Sequence, residues 1–275
     1  MHCPPLELRL ASGALMSDYD QRFGGIARLY GREGLERLRE AHVAVVGIGG
    51  VGSWAAEALA RSGVGRITLI DLDDICITNT NRQVHAVAAD IGRLKVEAMR
   101  DRIAAINPDC RVTVEPVFLT AANVGPLLAA GFSCVLDAID NVANKCHLIA
   151  ACRTSDCRIV TTGGAGGRID PTQLRVGDLA HVTHDPLIRQ VRRQLRREHG
   201  FPDEPKTTFG VPCVYSPEPV RYPWRDGSVC LTKENDGESL RLDCDSGYGS
   251  ATFVTGAFGF AAAAEVLRLL TAQPR

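Results

Sequence analysis

The sequence predicts an α/β fold, with a parallel sheet in the N-terminal half and mixed or antiparallel strands in the C-terminal half. Strand-like apolar runs alternate with helix-like stretches from residue 43 to residue 162, a rhythm typical of a parallel sheet with helices on both faces. The loop GIGGVG joins the first strand to the next helix, as in Rossmann-like folds. The alternation stops at TTGGAGGRIDPTQ.

Short amphipathic helices are predicted over residues 18–41, before the alternation begins. The predicted strands are Val43–Gly47, Arg66–Asp71, Arg111–Val117, Ser133–Asp137 and Arg158–Thr162. The predicted helices are Gly52–Ser62, Asp90–Ile106, Ala121–Ala130 and Val142–Arg153. Asp90 is a candidate N-cap for the second of these helices, which Asn107 and Pro108 end.

The second half begins with QLRVGDL, a basic helix-like stretch and a proline-rich loop over Phe201–Asp226. The final apolar run, SATFVTGAFGFAAAAEVLRLL, has the length of a membrane span. Glu265 and Arg268 interrupt it, and Gly256, Ala257 and Gly259 would allow close helix packing. We therefore expect a buried helix rather than a membrane anchor.

Composition points to one globular, reduced protein of 275 residues with a net charge of −1. We expect a single domain over residues 18–275, an N-terminal extension over 1–17, and an excursion over 181–245 that carries the basic helix. The chain starts without the pattern of a signal peptide, so we expect a cytoplasmic location and no membrane. None of the ten cysteines forms a CxxC pair, which argues against a zinc knuckle.

The glycine loop predicts a nucleotide site. It has the spacing GxGxxG after a strand and before a helix, where free amides can receive a phosphate, and its glycines are Gly47, Gly49, Gly50 and Gly52. Asp71 ends the second strand about 20 residues further on, where it would accept hydrogen bonds from ribose hydroxyls. NAD and ATP both fit this pattern.

Charged and polar residues beyond the loop favour a triphosphate over NAD; they are Asp73, Asn79, Arg82, Lys95 and Asp140. Cations neutralise the charge of a triphosphate, and a carboxylate can hold Mg²⁺. NAD requires neither. The alternative readings are that Arg82 and Lys95 are solvated surface charges and that Asp140 is an N-cap of the next helix.

A basic stretch in the second half, PLIRQVRRQLRRE, predicts an RNA contact. Its arginines recur at helical spacing on one face, opposite an apolar face, and they are Arg189, Arg192, Arg193, Arg196 and Arg197. A solvated helix face is the common alternative. Five arginines with no carboxylate among them favour contact with the RNA backbone.

From Arg22 to Asp140 the chain resembles the ubiquitin-activating E1-like superfamily, which includes the ThiF and MoeB enzymes. The spacing from Asp71 through Asn79, Arg82 and Lys95 to Asp140 is similar to the ATP site of that superfamily. The motifs RFGGIARLYG, GIGGVGSWAAEALARSG, TNTNRQ, TTGGAGG, DPTQ and GFGF are similar to its tRNA threonylcarbamoyladenosine dehydratase branch. This resemblance extends from Tyr19 to Leu270 and implies a Rossmann-like fold of the E1 type.

The resemblance implies an ATP- and Mg²⁺-dependent, ligase-type enzyme that adenylates the carboxylate of threonylcarbamoyladenosine in tRNA and cyclises it with net loss of water. Gly47, Gly49 and Gly52 would form the turn beside the phosphates, and Asp71 would hold the ribose. Asn79, Arg82 and Lys95 would grip the phosphates, Arg82 and Lys95 as catalytic residues at the α-phosphate. Asp140 would bind Mg²⁺.

The resemblance further implies a homodimer in which Arg22 acts across the interface as a catalytic residue. It suggests a Na⁺ or K⁺ site in GGAGGRIDP and a cysteine-desulfurase partner for sulfur transfer. Cys213, Cys230 and Cys244 are candidate reactive thiols, but ring closure within one substrate needs no enzyme thiol, so a structural role is favoured.

Three other functions compete with this one. The nearest is adenylation of the C-terminus of a ubiquitin-like sulfur carrier protein, against which the missing CxxC pair and the arginine face weigh. An NAD-dependent oxidoreductase is opposed by Arg82, Lys95 and Asp140. A nucleotide-sensing scaffold without catalysis is the third.

Overall fold

The computed structural model describes residues 17–233 and 248–272, and it confirms the predicted α/β fold. The helices are α1 (Asp18–Glu40), α2 (Gly52–Arg61), α3 (Lys95–Ile106), α4 (Val124–Leu128), α5 (Val142–Thr154), α6 (Pro186–His199) and α7 (Thr252–Thr271). The strands are β1 (His42–Val46), β2 (Arg66–Ile70), β3 (Arg111–Glu115), β4 (Cys134–Asp137), β5 (Ile159–Thr162), β6 (Arg175–Asp178), β7 (Pro212–Tyr215), β8 (Tyr222–Pro223) and β9 (Val229–Cys230).

Seven strands form one sheet in the order β3-β2-β1-β4-β5-β7-β6. All neighbouring strands pair in parallel except the edge strand β6, which is antiparallel to β7. β8 and β9 form a separate antiparallel pair. The carboxyl ends of β1, β2 and β4 therefore lie at one edge of the sheet, which is where ligands bind in open parallel sheets.

Two apolar cores cover the two faces of this sheet. β1 shows the alternation that creates them, since Val43 and Val45 belong to one core and Ala44 and Val46 to the other. The first core is built with α2, α3 and α7, and the second with α5 and α6. A strand buried on both faces reads as a continuous apolar run, which is why the run VAVV at residues 43–46 predicted this strand.

Three predicted elements differ in detail. The helices predicted over 18–41 form one element, α1, with a kink at Gly31, where φ is +78°. The prediction of Asp90 as an N-cap is wrong, because α3 begins only at Lys95. The Asp90 carboxylate instead forms an ion pair with Arg93, with a distance of 2.6 Å between nitrogen and oxygen. The loop predicted over Phe201–Asp226 contains β7, which adds to the main sheet.

The apolar C-terminal run forms α7, which packs into the first core as predicted. It is long and apolar enough to cross a membrane, and 61% of its most apolar stretch is buried within the molecule. Gly259 permits the close approach of α7 to α2, because a Cβ there would lie 2.6 Å from the Val51 carbonyl oxygen. Burial on α2 and the sheet thus accounts for its composition.

Candidate nucleotide and nucleic-acid site

The glycine loop turns sharply between β1 and α2, and two of its glycines are required by backbone geometry. Gly47 has a φ of +87°, and a Cβ there would lie 2.9 Å from the carbonyl oxygen of Ala138. A Cβ on Gly52 would lie 1.8 Å from the Gly47 oxygen. Gly49 differs, because a Cβ there would meet no atom within 4 Å. Gly49 therefore faces open space in which a ligand can lie.

The loop presents unpaired amides at the start of α2. Within residues 17–233 and 248–272, the amides of Gly49, Gly50 and Val51 donate to no protein acceptor, and no side chain caps the helix. The positive end of the helix dipole points the same way. Free N–H groups at a helix N-terminus form an anion site, so this geometry fits a phosphate.

Asp71 ties this loop to the end of β2. Its carboxylate accepts hydrogen bonds from the amides of Ile48 at 2.7 Å and Asp73 at 2.8 Å. Burial raises the pKa of Asp71, while Lys95 and the two amides act in the opposite direction. The carboxylate holds the loop in place with one hydrogen bond on each oxygen, which leaves further lone pairs for the predicted ribose contact.

The turn after β2 brings Arg82 to the loop. Asn79 is buried, and its side-chain oxygen accepts from the amide of Cys76 at 3.0 Å, which shapes the turn. Arg82 donates to the Thr78 carbonyl at 2.7 Å and the Asn81 side chain at 3.1 Å. A Cβ on Gly50 would lie 3.3 Å from the Arg82 Cγ, so the arginine stem covers the loop.

Lys95 and Asp73, both predicted to act at the nucleotide, form an ion pair in this structure. The Lys95 ammonium at the start of α3 lies 2.6 Å from the Asp73 carboxylate. The lysine side chain is 8% exposed and that of Asp73 is 50% exposed. The ion pair thus holds the Lys95 ammonium at the carboxyl edge of the sheet, while the Asp73 carboxylate is partly open to solvent.

Asp140 follows β4 and is exposed on the same edge. It is not the N-cap of α5, because Asn141 occupies that position and accepts from the Asn144 amide at 3.0 Å. Among the described residues, no cluster of three or more metal-ligating side chains exists. One exposed carboxylate nevertheless fits Mg²⁺, which proteins commonly hold through one or two carboxylates and the phosphates of a substrate.

A buried ion pair beneath Asp140 was missed by the sequence analysis. Lys145 and Asp137 are both fully buried, with Nζ and Oδ2 separated by 2.9 Å. Lys145 also donates to the Ile139 carbonyl at 3.0 Å, and the Thr161 hydroxyl donates to Asp137 at 2.6 Å. The available signal was Lys145 itself, on the apolar face of α5 with Cys146 and Ile149. This pair fixes the turn from which Asp140 projects.

The arginine face lies on α6 as predicted, opposite the buried residues Ile188, Val191 and Leu195. All five arginines line a cleft of about 480 Å³ with Asp203.

The arginines of this face differ in their partners. Arg192 donates to the Val182 carbonyl and Arg196 to the Pro202 carbonyl, so those two are partly tethered. Arg197 pairs with Glu198. Arg189 and Arg193 are exposed without a partner among the described residues, which leaves them available to an anionic ligand.

Asp185 connects α6 to the glycine-rich loop that follows β5. It is the N-cap of α6, accepting from the Ile188 amide at 3.1 Å, and it also accepts from the Gly164 amide at 3.0 Å. The buried guanidinium of Arg168 lies 3.4 Å from the same carboxylate. The loop predicted to hold a monovalent cation is therefore anchored to the arginine helix.

Arg22 is not brought to the glycine loop of its own chain. It is exposed on α1, where the neighbouring Tyr19 donates to the Gly63 carbonyl at 2.6 Å. Gly63 lies beyond the C-terminal end of α2, at the edge of the sheet opposite the glycine loop. Any action of Arg22 on a nucleotide would therefore require a second copy of the chain.

The three cysteines predicted as candidate thiols lie in different environments or outside the described residues. Cys213 is fully buried in β7, and burial raises the pKa of its thiol, as expected of a structural residue. Cys230 is half-buried in β9. Cys244 lies outside the described residues.

Comparison with known proteins extends these observations. The model of the ThiF family matches residues 23–275, which include the glycine loop and the arginine helix. The chain is 53% identical over 253 residues to the tRNA threonylcarbamoyladenosine dehydratase of Escherichia coli K12, covering 92% of this chain and 94% of that protein. It is 46% identical over 254 residues to the protein of the same name from Haemophilus influenzae, covering 92% and 95% of the two chains.

A solved structure is similar over nearly the same length. A crystal structure of the E. coli tRNA N6-threonylcarbamoyladenosine dehydratase in complex with ATP matches with a TM-score of 0.82 at 48% identity. The match covers 94% of this chain and 97% of that chain.

His85, close to Lys95, makes a pH dependence testable. It is 2% exposed, and neither ring nitrogen has a hydrogen-bond partner among the described residues. Burial, reinforced by the charge of Lys95, lowers its pKa to about 4. Histidine in an unfolded chain titrates near pH ~6.5, so the unfolded state binds a proton first as pH falls. The contribution of His85 to the free energy of unfolding is thus fully present above pH ~6.5 and is lost as the pH falls toward ~4.

We predict that the His85→Leu variant does not show this decrease in unfolding free energy at low pH. Between pH 7 and pH 4.5 the parent protein should lose about 2–3 kcal/mol more unfolding free energy than the variant does. Urea denaturation at each pH measures the difference, and His181→Gln, at an exposed histidine, is the matched control. Equal pH slopes for parent and His85→Leu would contradict the assignment.

Proposed function

Because the chain belongs to the ThiF family, we propose that it is an ATP-dependent tRNA threonylcarbamoyladenosine dehydratase of the ligase type. The match over 92% of the chain to relatives of that name carries this function. The substrate carboxylate attacks the α-phosphorus of ATP and pyrophosphate leaves. A nucleophile of the carbamoyl group then attacks the activated carbonyl carbon, loses its proton and expels AMP, which takes one carboxylate oxygen with it. The ring closes with net loss of water.

The phosphates of ATP lie at the free amides of Gly49, Gly50 and Val51, with Arg82 over the loop. Arg82 and Lys95 stabilise the charge that develops at the α-phosphate during attack. Lys95 must first exchange its contact with Asp73 for one with the phosphate. That exchange is feasible because Asp73 is half-exposed and water can solvate it when the lysine leaves.

Mg²⁺ would neutralise the phosphate charge when bound. Asp140 would hold it, since this carboxylate is exposed and projects from a turn that the buried Asp137–Lys145 pair keeps rigid. A metal held by one carboxylate and substrate oxygens needs ATP to complete its coordination. We therefore expect metal binding to depend on the nucleotide.

The tRNA lies along the arginine face of α6. Arg189 and Arg193 contact phosphates first because they are exposed, and Arg192, Arg196 and Arg197 add to the local positive field around the cleft. A chain with a net charge of −1 needs such a local patch to attract RNA. Asp185 orients this helix relative to the sheet.

A homodimer completes each site through the partner's Arg22 side chain. The exposed position of Arg22 at the opposite edge of its own sheet supports action in trans.

Four finer features stay predictions. They are the single domain over residues 18–275, a Na⁺ or K⁺ ion at the carbonyls of residues 163–171, a sulfur-transfer partner, and a cytoplasmic location. The carrier-protein alternative is not favoured, since the dehydratase relatives match over 92% of the chain.

Reaction with modified tRNA tests the function directly. Purified protein, ATP, Mg²⁺ and tRNA carrying threonylcarbamoyladenosine should yield a nucleoside lighter by one water, together with AMP, as measured by mass spectrometry of digested tRNA. Arg82→Ala and Asp140→Asn should lower the rate at least about tenfold, while Asp109→Asn, at an exposed carboxylate outside the site, should not. Intact tRNA alongside an adenylated carrier protein would establish the alternative.

Replacing Arg189 and Arg193 together by alanine should weaken tRNA binding about tenfold and flatten its salt dependence by about one unit of slope per lost phosphate contact. Titrations at several salt concentrations measure both quantities. The control double variant replaces Arg61 and Arg111, which lie at the opposite edge of the sheet. Identical salt slopes for the two double variants would exclude α6 from the interface. ATP affinity should not change.

Subunit exchange tests the dimer. Arg22→Ala and Lys95→Ala homodimers should each be inactive, because each lacks one residue in both sites. A mixed dimer has one site with neither substitution and should recover roughly half of the activity of one parent dimer. Activity is measured as AMP formation after heterodimers are verified by mass. Heterodimers without recovery would show that Arg22 does not act across the interface.

A further inference from the structure

The backbone carbonyl of Arg82 is held by two side chains from two helices. The Trp54 indole N–H in α2 donates to it at 3.0 Å. The Thr255 hydroxyl in α7 lies 3.2 Å from it. Neither side chain belongs to the nucleotide-site residues that the sequence predicts.

Trp54 lies on the first turn of α2, the helix whose N-terminus carries the free amides. The indole ring is rigid, so its hydrogen bond sets the separation between those amides and the turn that carries Arg82. That turn belongs to no strand; its regular structure is a three-residue 3₁₀ segment, Ile77–Asn79. The position of the turn that carries Arg82 therefore depends on contacts with other elements of the fold.

The N-terminus of α7 supplies the other contacts. The Thr252 hydroxyl donates to the Asn81 backbone carbonyl at 2.5 Å, and the Asn81 side-chain Nδ2 donates to the Ser250 carbonyl at 2.9 Å. Thr255 is 3% exposed, and its methyl group would lie 3.3 Å from a Cβ on Gly50. Thr255 thus packs against the glycine loop with its methyl and faces the Arg82 carbonyl with its hydroxyl.

Packing keeps the indole in this orientation. Gly259 leaves room for Trp54 between α2 and α7, since a Cβ on Gly259 would lie 2.8 Å from the Trp54 Cβ. Phe260 contacts the indole edge to face, with ring centroids 5.8 Å apart. The ring is therefore fixed on both sides before any ligand binds.

We propose that Trp54 and Thr255 are positioning residues for Arg82, which they hold in register with the amides of the glycine loop. This inference rests on the proposed function, in which Arg82 stabilises charge at the α-phosphate. A guanidinium displaced by about 1 Å still attracts ATP but stabilises the transition state poorly. The contacts therefore act on the chemical step more than on binding.

The test removes each hydrogen-bond donor, in the case of Trp54 together with the five-membered part of its ring. Trp54→Phe removes the indole N–H and Thr255→Val removes the hydroxyl at nearly constant volume. Each should lower kcat for AMP formation from ATP and modified tRNA about tenfold, with KM for ATP changed less than about threefold. Thr255→Ser, which keeps the hydroxyl, should stay within about twofold of the parent. Trp224→Phe is the matched control, since that indole donates to Thr232 in the β8–β9 hairpin.

A double-mutant cycle separates positioning from a merely structural role. In an Arg82→Ala background, adding Trp54→Phe or Thr255→Val should change kcat less than about twofold, because there is no guanidinium left to position. A loss as large as in the parent background would overturn the proposal, as would full activity of both single variants. If Trp54→Phe does not fold, as judged by circular dichroism, the Thr255→Val and Thr255→Ser pair decides.

Failure of the proposed function gives a different result. If Arg82→Ala forms AMP as fast as the parent, the role of Arg82 is wrong and the positioning role is wrong with it. If Arg82→Ala is impaired while Trp54→Phe and Thr255→Val are not, the proposed function stands and only this inference is lost.

Discussion

The parallel pairing of β1 with β2 and β4 is the constraint on which the candidate site depends. The register places Val46 beside Ile70 on one side and beside Asp137 on the other, so the three strands end together at one edge. The glycine loop, the Arg82 turn and the turn with Asp140 all start from these ends. The hydrogen bond from the Ile48 amide to Asp71 joins two of them directly. Groups far apart in the chain are thereby brought to the same edge of the sheet.

Buried charge stabilises this edge only because each charge is paired. Asp137 and Lys145 would each cost several kcal/mol if left alone in the core. Together they satisfy one another, and Thr161 and the Ile139 carbonyl complete their hydrogen bonds. The result is a rigid base for an exposed carboxylate. For the proposed Mg²⁺ site this rigidity is useful, since a metal-binding carboxylate gains from being held in advance.

The cations at the site differ in how firmly they are held. Lys95 is buried and paired with the half-exposed carboxylate of Asp73. The backbone carbonyl of Arg82 accepts from Trp54, while its guanidinium donates, within the part of the chain that the structure describes, to a carbonyl and a side-chain amide oxygen. The arginines of α6 concentrate positive charge in a chain whose net charge is −1. Local placement, and not total charge, therefore decides which anions the protein can attract.

The sequence by itself determined the strand and helix rhythm, the glycine turn and the arginine face of α6. Each is a local pattern: HVAVV is apolar on both faces, Gly47 needs a positive φ, and the arginines recur every three or four residues. Only the tertiary structure decided the partners of polar groups. Lys145 with Asp137, Lys95 with Asp73 and Trp54 with Arg82 are pairs across different elements. The tertiary structure also decided that α3 begins at Lys95 and not at Asp90, and that β7 forms inside a proline-rich stretch. Periodicity records which face of an element is buried, but the distance between two elements is fixed only when the whole sheet is assembled.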